Sequence, residues 1–402
     1  MLVLMEKCKV GGNQKPFEIS CNVLLSLCAT MPSLYYGERV YELYQKQGFK
    51  NVMVEGAAML MFGNCGELEQ SKKIFENLKK DGLLDVFGWN TYIKCLTANS
   101  QYEEALKVFS ELKEKIKPNS ITIVAVLQAC SYGGLVDAAR EIWKEFSNIR
   151  NIIMKNCMVD VLSRNGFLDE AESLLREEGT HDIFGLCSLL GACVNYKDLK
   201  RGLRIGHEII QKNPNENFKT YDALIKLCEV CGENEEKMKI EALRKSNNPV
   251  KIIKKAEIEV DGKIHTFQQG NFSHPKSKEI RNKLHQVYQK LIKNGCDNLF
   301  PALWRTSPTL STEAKINTML YHHSEKVAIC FGLISTPPGS VLRINAHDFP
   351  LHWRKHSAIK QIAKLYNRKI LLRERSHVHC FTPDGECSCQ DKPYQKAPEK
   401  QV

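Results

Sequence analysis

The residues best suited to chemistry lie near the carboxyl end of the 402-residue chain. His323 and Glu325 come first, His356 follows, and Cys387 and Cys389 stand in the tail. Histidine and cysteine are the usual protein ligands of zinc, and a glutamate beside a zinc ion can act as a general acid or base. The spacing therefore predicts a zinc site with a proton-transferring carboxylate.

Composition limits the class of protein to which these residues belong. The chain is 43% hydrophobic, which is enough for cores in two or more domains, and its net charge of +11 suits a polyanion such as RNA. Its longest apolar run, near residues 121–127, is too short to cross a bilayer, so a membrane partner is not expected. A DNA partner is not expected either. Most of the sixteen cysteines stand singly in amphipathic helical patterns. Such cysteines behave as small buried hydrophobes in a reducing compartment, so a disulfide framework is not predicted.

The amino terminus has neither the pattern of a secretory signal nor the Arg- and Ser-rich composition of a transit peptide. We therefore expect either that targeting is absent or that the gene product is incomplete.

An internal repeat organises the chain upstream of the candidate zinc site. A small residue recurs at spacings of 34, 34, 34, 32 and 31, at Gly37, Ser71, Ala105, Ala139, Ala171 and Gly202. An apolar or aromatic residue lies three positions before each small one and another follows at i+4, which is the pattern of one helix face. Helix pairs with such a period predict an α-solenoid rather than an irregular bundle, and Gly66, Gly134 and Gly166 are expected to form turns.

The regular repeats occupy residues 17–182, and less regular, extended repeats follow over 183–248. Cys228 and Cys231 in the extended repeats are predicted to be structural, because no second cysteine pair follows at zinc-site spacing.

A junction over residues 249–294 follows the extended repeats. Alternating residues around Asp261-Gly262 predict a β-hairpin, and Ser273 and Pro275 are expected to cap and open a helix that runs to about residue 294. Residues 295–311 read as a linker, and the terminal domain covers 312–395.

Two motifs resemble the pentatricopeptide repeat family, in the PLS class that mixes repeat lengths. They are Lys117-Pro118-Asn119 before a new helix and Trp89-Asn90 at the start of one. The resemblance implies single-stranded RNA as the partner, at roughly one base per repeat, with the fifth and last residues of a repeat facing the base. Asn90 and Asn119 form one such pair, although an asparagine at a turn is also an ordinary turn residue. The array is short for a unique transcript address, so other editing factors or further repeats are expected.

The terminal domain is expected to be α/β. Patterns predict helices over 312–320, from 323, and over 356–366, with strands at 341–345 and 369–373. A His-x-Glu at the start of a helix, followed by a strand and a cysteine-bearing helix start, is the layout of zinc deaminases. The short His323-Ser324-Glu325 string is by itself a weak signal.

Longer stretches at 323–339, 356–360 and 385–389 resemble the DYW deaminase domain of organellar RNA editing proteins. The resemblance implies a mitochondrial or chloroplast protein, with Glu325 as the catalytic proton carrier. It also implies a structural zinc ion held by His356, His379, Cys387 and Cys389, a set of two histidines and two cysteines that suits a closed tetrahedral site. A local redox pair of the two tail cysteines is the alternative.

The chain departs from that family at the catalytic metal. The family carries Cys-x-x-Cys before the histidine, whereas this chain has His352 and Lys355 at those two places. Histidine can ligate zinc, but a protonated lysine cannot. The catalytic zinc site is therefore either rebuilt from His323 and His352 plus another group, with His347 as a reserve ligand, or lost.

The last motif bears on the direction of the reaction. Lys392-Pro393 stands where the family ends in Tyr-Trp, and it resembles the KP variant, which is associated with conversion of uridine to cytidine at ring C4. Two alternatives stay open: cytidine-to-uridine deamination by an altered zinc shell, and a non-catalytic RNA-binding cofactor.

Overall fold

The structure, a computed structural model, describes residues 14–177, 182–213, 218–249, 255–271, 273–296, 324–346, 353–374 and 377–391. The chain divides into two compact units. One unit joins Met1–Gln101 to Ile253–Asp391, and the other contains Tyr102–Ile252 together with Lys392–Val402.

The first unit begins with antiparallel helices joined by short turns: α1 (Gln14–Thr30), α2 (Leu34–Gln45), α3 (Val52–Asn64), α4 (Leu68–Lys80) and α5 (Val86–Ala98). The predicted small residues lie at the helix contacts. Ser71 is fully buried, and a Cβ on Gly37 would overlap the side chain of Met61. Gly66 has a φ of 78° in the turn between α3 and α4, a conformation that only glycine adopts without strain.

The second unit also consists of helix pairs, and it includes residues 183–248, which were predicted to be extended repeats. Its helices are α6 (Tyr102–Lys115), α7 (Ser120–Gly133), α8 (Val136–Glu145), α9 (Ile152–Arg164), α10 (Leu168–Arg176), α11 (Ile183–Tyr196), α12 (Leu199–Lys212), α13 (Phe218–Cys231) and α14 (Asn234–Asn247). Ala105, Ala139 and Ala171 are each 0% exposed, as the period predicts. The helical repeat solenoid is therefore confirmed. Cys228 is buried and the half-buried Cys231 donates to the Lys197 carbonyl, so both have structural surroundings.

The terminal part of the first unit is a five-stranded sheet in the order β2-β1-β3-β4-β5. The strands are β1 (Lys255–Val260), β2 (Lys263–Gln268), β3 (Leu342–Ala346), β4 (Ile370–Glu374) and β5 (His377–Phe381). Only the β3–β4 pair is parallel, and the other three pairs are antiparallel. The predicted hairpin is confirmed, with left-handed φ angles of 51° and 68° at Asp261 and Gly262 that fit a type I′ turn.

Three helices accompany this sheet: α15 (Ser277–Lys293), α16 (Ser324–Ser335) and α17 (Trp353–Leu365). Helix α16 packs on β1, β2 and β3, while α15 contacts α16 and α17. Gly332 admits α16 closely to the sheet, because a Cβ there would lie 2.7 Å from Cδ1 of Ile258. The mixed α/β class of the terminal domain is therefore confirmed.

Three details of the sequence prediction were wrong. Ser273 does not cap a helix, because α15 begins at Ser277, where the backbone N–H of Ser277 closes a turn onto the His274 carbonyl. The helix predicted from residue 356 begins earlier, at Trp353, and the strand β5 was missed. The predicted helix over 312–320 and all but two residues of the predicted linker lie outside the described residues.

Two arginine side chains of strands β3 and β4 contact the first repeats. Arg373 donates from Nη1 to the carbonyl oxygens of Ala29 and Thr30 at 2.8 and 2.9 Å, at the end of α1. Arg343 donates to the Cys65 carbonyl at 3.3 Å and pairs with Glu67, just after α3. A cation at a helix carboxyl end satisfies carbonyls that lack a partner within the helix. Two arginines thus fix the terminal sheet to the turns of the first repeats.

Among the described helices, none is long and apolar enough to cross a bilayer.

Candidate metal centre and acid–base site

Four predicted ligands meet beside strand β5. The candidate ligand atoms of His356, His379, Cys387 and Cys389 all lie within 4.8 Å of one another, and all four residues are buried. Sγ of Cys389 lies 3.3 Å from Nε2 of His356, and Sγ of Cys387 lies 3.6 Å from Nδ1 of His379. Two histidines and two cysteines at such separations fit a closed tetrahedral zinc site.

The turn after β5 brings both cysteines back to the strand. Gly385 adopts a φ of 83° in this turn, and the backbone of Cys387 forms a bridge with Phe381. The Ser388 N–H then donates to the Cys380 carbonyl. The return of the chain directs the two thiols toward α17, which carries His356.

A carboxylate lies behind each histidine. Nδ1 of His356 is 3.2 Å from Oδ1 of Asp391, and Nε2 of His379 is 3.8 Å from Oε2 of Glu374. Carboxylates in this place orient the imidazole of a metal ligand and raise its basicity. The sequence analysis did not identify either acid as part of the site, although Asp391 follows the second cysteine by only two residues.

Contacts within the cluster shift the pKa values of its ligands in opposite directions, and burial with the hydrogen bond to Cys389 raises the pKa of the Cys387 thiol. Burial opposes a charged imidazole at His379, but hydrogen bonds to Cys389 and Glu374 outweigh it and raise the pKa of His379 to about 9. Hydrogen bonds from Cys387 and from the surrounding histidines hold the pKa of the Cys389 thiol below its usual range. A site that already stabilises a thiolate is suited to bind a divalent cation.

Glu325 lies near the start of α16, and its partner is Lys355. Nζ of Lys355 is 2.9 Å from Oε1 of Glu325, and the two side chains are 22% and 7% exposed. Lys355 stands where the resemblance places the second catalytic cysteine, and it directly precedes the metal-cluster residue His356. The proposed proton carrier is therefore held in an ion pair.

A second lysine adds positive charge beside Glu325. Lys326 is only 4% exposed, and burial lowers its pKa to about 8, while the Glu325 carboxylate opposes that shift. The sequence analysis missed Lys326, which offered no periodicity or motif of its own. Two lysines thus lie close to the Glu325 carboxylate.

Several predicted site residues lie outside the described residues: His323, His347, His352, Lys392 and Pro393. Their predicted roles stay predictions. His377, to which the sequence analysis gave no role, is buried beside the cluster, with Nε2 3.5 Å from Oγ of Ser100.

The two predicted base-reading asparagines have different surroundings. Asn90 is 4% exposed, and its buried Oδ1 has no hydrogen-bond partner among the described residues. Asn119 caps α7, where its Oδ1 accepts the N–H of Thr122 at 3.0 Å. Base reading by Asn90 and Asn119 stays a prediction.

Comparison with protein families matches three stretches of the chain. The DYW family of nucleic acid deaminases matches residues 306–393. The PPR repeat family matches residues 84–132, and a single PPR repeat matches residues 153–177.

Curated relatives extend the likeness over almost the whole chain. Three Arabidopsis thaliana proteins illustrate it. Pentatricopeptide repeat-containing protein At2g22070 is 32% identical over 95% of this chain and 48% of its own length. The chloroplastic protein ELI1 is 30% identical over 97% of the chain and 61% of its own length, and the mitochondrial protein At5g15340 is 31% identical over 94% and 62%. The chain thus spans about half to two thirds of the length of these relatives.

A solved structure supports the repeat fold. The pentatricopeptide repeat protein PPR10, in complex with an 18-nt psaJ RNA element, superposes on 61% of this chain and 37% of its own with a TM-score of 0.50. The sequence identity is 16%, so this likeness concerns the fold alone.

Proposed function

Since this chain is a pentatricopeptide repeat protein with a C-terminal DYW deaminase domain, we propose that it binds single-stranded organellar RNA and converts a uridine to cytidine at ring C4. The proposal includes the finer family assignment, the PLS class and the KP variant. It also includes a mitochondrial or chloroplast location, as in the names of the relatives ELI1 and At5g15340.

The observation that carries the proposal is the placement of Glu325. Its carboxylate is 7% exposed and lies beside two amines, on the helix that packs against the sheet holding the metal cluster. A buried, positioned carboxylate suits general acid–base catalysis. Amination at C4 exchanges the carbonyl oxygen for the nitrogen of an ammonia equivalent and releases water. In this reaction Glu325 takes a proton from the incoming amine and delivers a proton to the departing oxygen.

The metal cluster has a separate role in this proposal. Its four protein ligands leave no open position for a substrate, which is the property of a structural zinc site. Such a zinc ion fixes α17 and the tail around β5. His323 and His352 are proposed to hold or replace the catalytic metal ion, with His347 in reserve.

Two other functions have support of their own. Deamination of cytidine to uridine is favoured by the match to a family of nucleic acid deaminases. A non-catalytic RNA-binding cofactor, which acts beside other editing factors, is favoured by the ion pair that stands in place of a metal ligand. The partner is RNA in all three cases.

The test is co-expression of the full chain in bacterial cells with a library of short RNAs, each carrying a barcode that records its original sequence. Sequencing then reports uridine-to-cytidine and cytidine-to-uridine changes, and capture of the protein reports RNA binding. We expect uridine-to-cytidine changes that Glu325→Ala abolishes and that Glu386→Ala, at a largely exposed carboxylate, leaves unchanged. Cytidine-to-uridine changes would reverse the proposed direction, and captured RNA without base changes would identify a cofactor.

A further inference from the structure

Lys355, the partner of Glu325, stands at a position that the family resemblance assigns to a zinc ligand. Lys355 contributes an ammonium group, which has three donor hydrogens and no lone pair for a metal ion. Its Nζ lies 2.9 Å from Oε1 of Glu325, so the amine has a carboxylate partner inside the domain. A lysine paired in this way does not fit the ligand position that the family implies at 355.

The positive charges beside Glu325 also disfavour a zinc ion at this place. Two lysines lie close to the Glu325 carboxylate, and one of them, Lys326, is 4% exposed. A zinc ion here would meet ammonium groups at short range in an environment of low dielectric, where like charges repel strongly. The neighbouring cluster instead gathers two thiols and two imidazoles with carboxylates behind them.

We infer that the ammonium of Lys355 replaces the catalytic metal ion of the family and positions the Glu325 carboxylate. Each chain then binds one zinc ion, at His356, His379, Cys387 and Cys389, and of the two roles proposed for His323 and His352 the one without a second metal ion applies. The role given to Glu325 rests on the proposed function, whereas the number of metal ions does not. In this arrangement a fixed cation on α17 meets a fixed anion on α16. The pair holds the carboxylate toward α17, and a thiolate at position 355 would instead supply the missing ligand.

The metal count is measured on the purified full chain by plasma mass spectrometry after equilibration with zinc and removal of loose ions. We expect one zinc ion per wild-type chain and two in Lys355→Cys. The matched control is Lys364→Cys, which adds a thiol to an exposed position of the same helix and should keep one ion.

Two ions in the wild-type chain would overturn the inference. A single ion in Lys355→Cys would overturn the claim that Lys355 is what excludes the second. Cobalt substitution gives a second readout, because a thiolate at position 355 that binds cobalt adds sulfur-to-cobalt absorption, while the thiol of Lys364→Cys adds none.

The positioning role has its own test in the editing assay. Lys355→Met removes the ammonium and is expected to slow editing at least tenfold, whereas Lys355→Arg keeps a cation and should restore most of the rate. Full activity in Lys355→Met would exclude a positioning role. If the wild-type chain edits no RNA, the proposed function fails while the metal count still decides the metal inference.

Discussion

Two neighbouring residues of helix α17 belong to two different centres. His356 faces the closed cluster with His379 and the two tail cysteines, whereas Lys355 pairs with Glu325. Successive helix residues point about 100° apart, so adjacent positions serve sites on different sides of the helix. The comparison separates a group that brings all four predicted zinc ligands together from a centre in which an ammonium faces the carboxylate.

The two centres also handle buried charge differently. In the cluster, thiols and imidazoles are arranged for a cation, and Asp391 and Glu374 lie behind the histidines. Beside Glu325, lysine side chains already provide the cations. A buried charge needs a partner: the first group of ligands is suited to a metal ion, and an ammonium is the partner in the second case.

The largest effect is expected from a variant that removes one of the four predicted ligands of the cluster. Cys389→Ser deletes a ligand that is 0% exposed and lies near both histidines. Metal binding free energy is part of folding free energy in such sites, so we expect loss of the zinc ion and a drop in the free energy of unfolding on the order of 4 kcal/mol or more. Metal analysis and urea unfolding of the full chain measure the two effects.

The control for this variant is Cys380→Ser, on the strand β5 that carries His379 but outside the cluster. It should keep the zinc ion and most of the stability. A Cys389→Ser protein that retains both its zinc ion and its wild-type urea midpoint would show that the cluster is not a metal site.

The second test addresses the charge beside Glu325 through pH. Burial lowers the pKa of Lys326 from 10.5 to about 8. Between pH 8 and 10.5 the unfolded chain therefore binds a proton that the folded chain has released, so this lysine makes stability rise with pH there. Below pH 8 both states are protonated, and the penalty of burying the ammonium is fully present.

Lys326→Met removes that penalty. We expect the variant to be more stable than wild type by roughly 3 kcal/mol at pH 7, and the difference to shrink by about 1.4 kcal/mol per pH unit above pH 8. Urea unfolding at a series of pH values measures it, with the exposed Lys364→Met as control. A difference between wild type and variant that does not change with pH would mean that Lys326 stays charged at all these pH values.

The features that the sequence predicted correctly are those with a local cause. Ala105, Ala139 and Ala171 are buried because each helix pair repeats the same contact, and a period of about 34 residues makes that contact visible. The Asp261-Gly262 turn needs two consecutive residues with left-handed φ angles, and an Asp-Gly dipeptide in the sequence predicts such a turn. The cluster ligands were identified by resemblance, and the structure brings them together.

The features that were missed depend on how distant segments pack. Lys355 is thirty positions from Glu325, and only the packing around α16 and α17 makes them partners. The hydrogen bonds of Arg373 to Ala29 and Thr30 cross more than 340 positions, and no period or motif marks them. The sequence records that Lys355 is an unusual residue for its place, but not what it contacts.

The smallest effect is expected from the carboxylates that contact the histidine ligands. It distinguishes a carboxylate that orients a metal ligand from one that only forms an ion pair. Asp391 lies 3.2 Å from Nδ1 of His356 and also pairs with Lys360. Glu386 pairs with Lys360 at 3.8 Å but contacts no ligand in the described residues, so Glu386→Ala is a matched control for Asp391→Ala. Loss of such a support typically weakens metal binding 10- to 100-fold, or by about 1.4–2.7 kcal/mol.

Competition with a chromophoric chelator measures the zinc affinity of both variants. We expect Asp391→Ala to weaken it and Glu386→Ala to leave it unchanged, because a carboxylate on the far nitrogen of an imidazole fixes the ring that binds the metal. Equal weakening in both variants would assign the effect to Lys360 rather than to His356. Glu325→Gln completes the comparison: it neutralises a carboxylate of the other centre, and zinc affinity at the cluster should not change.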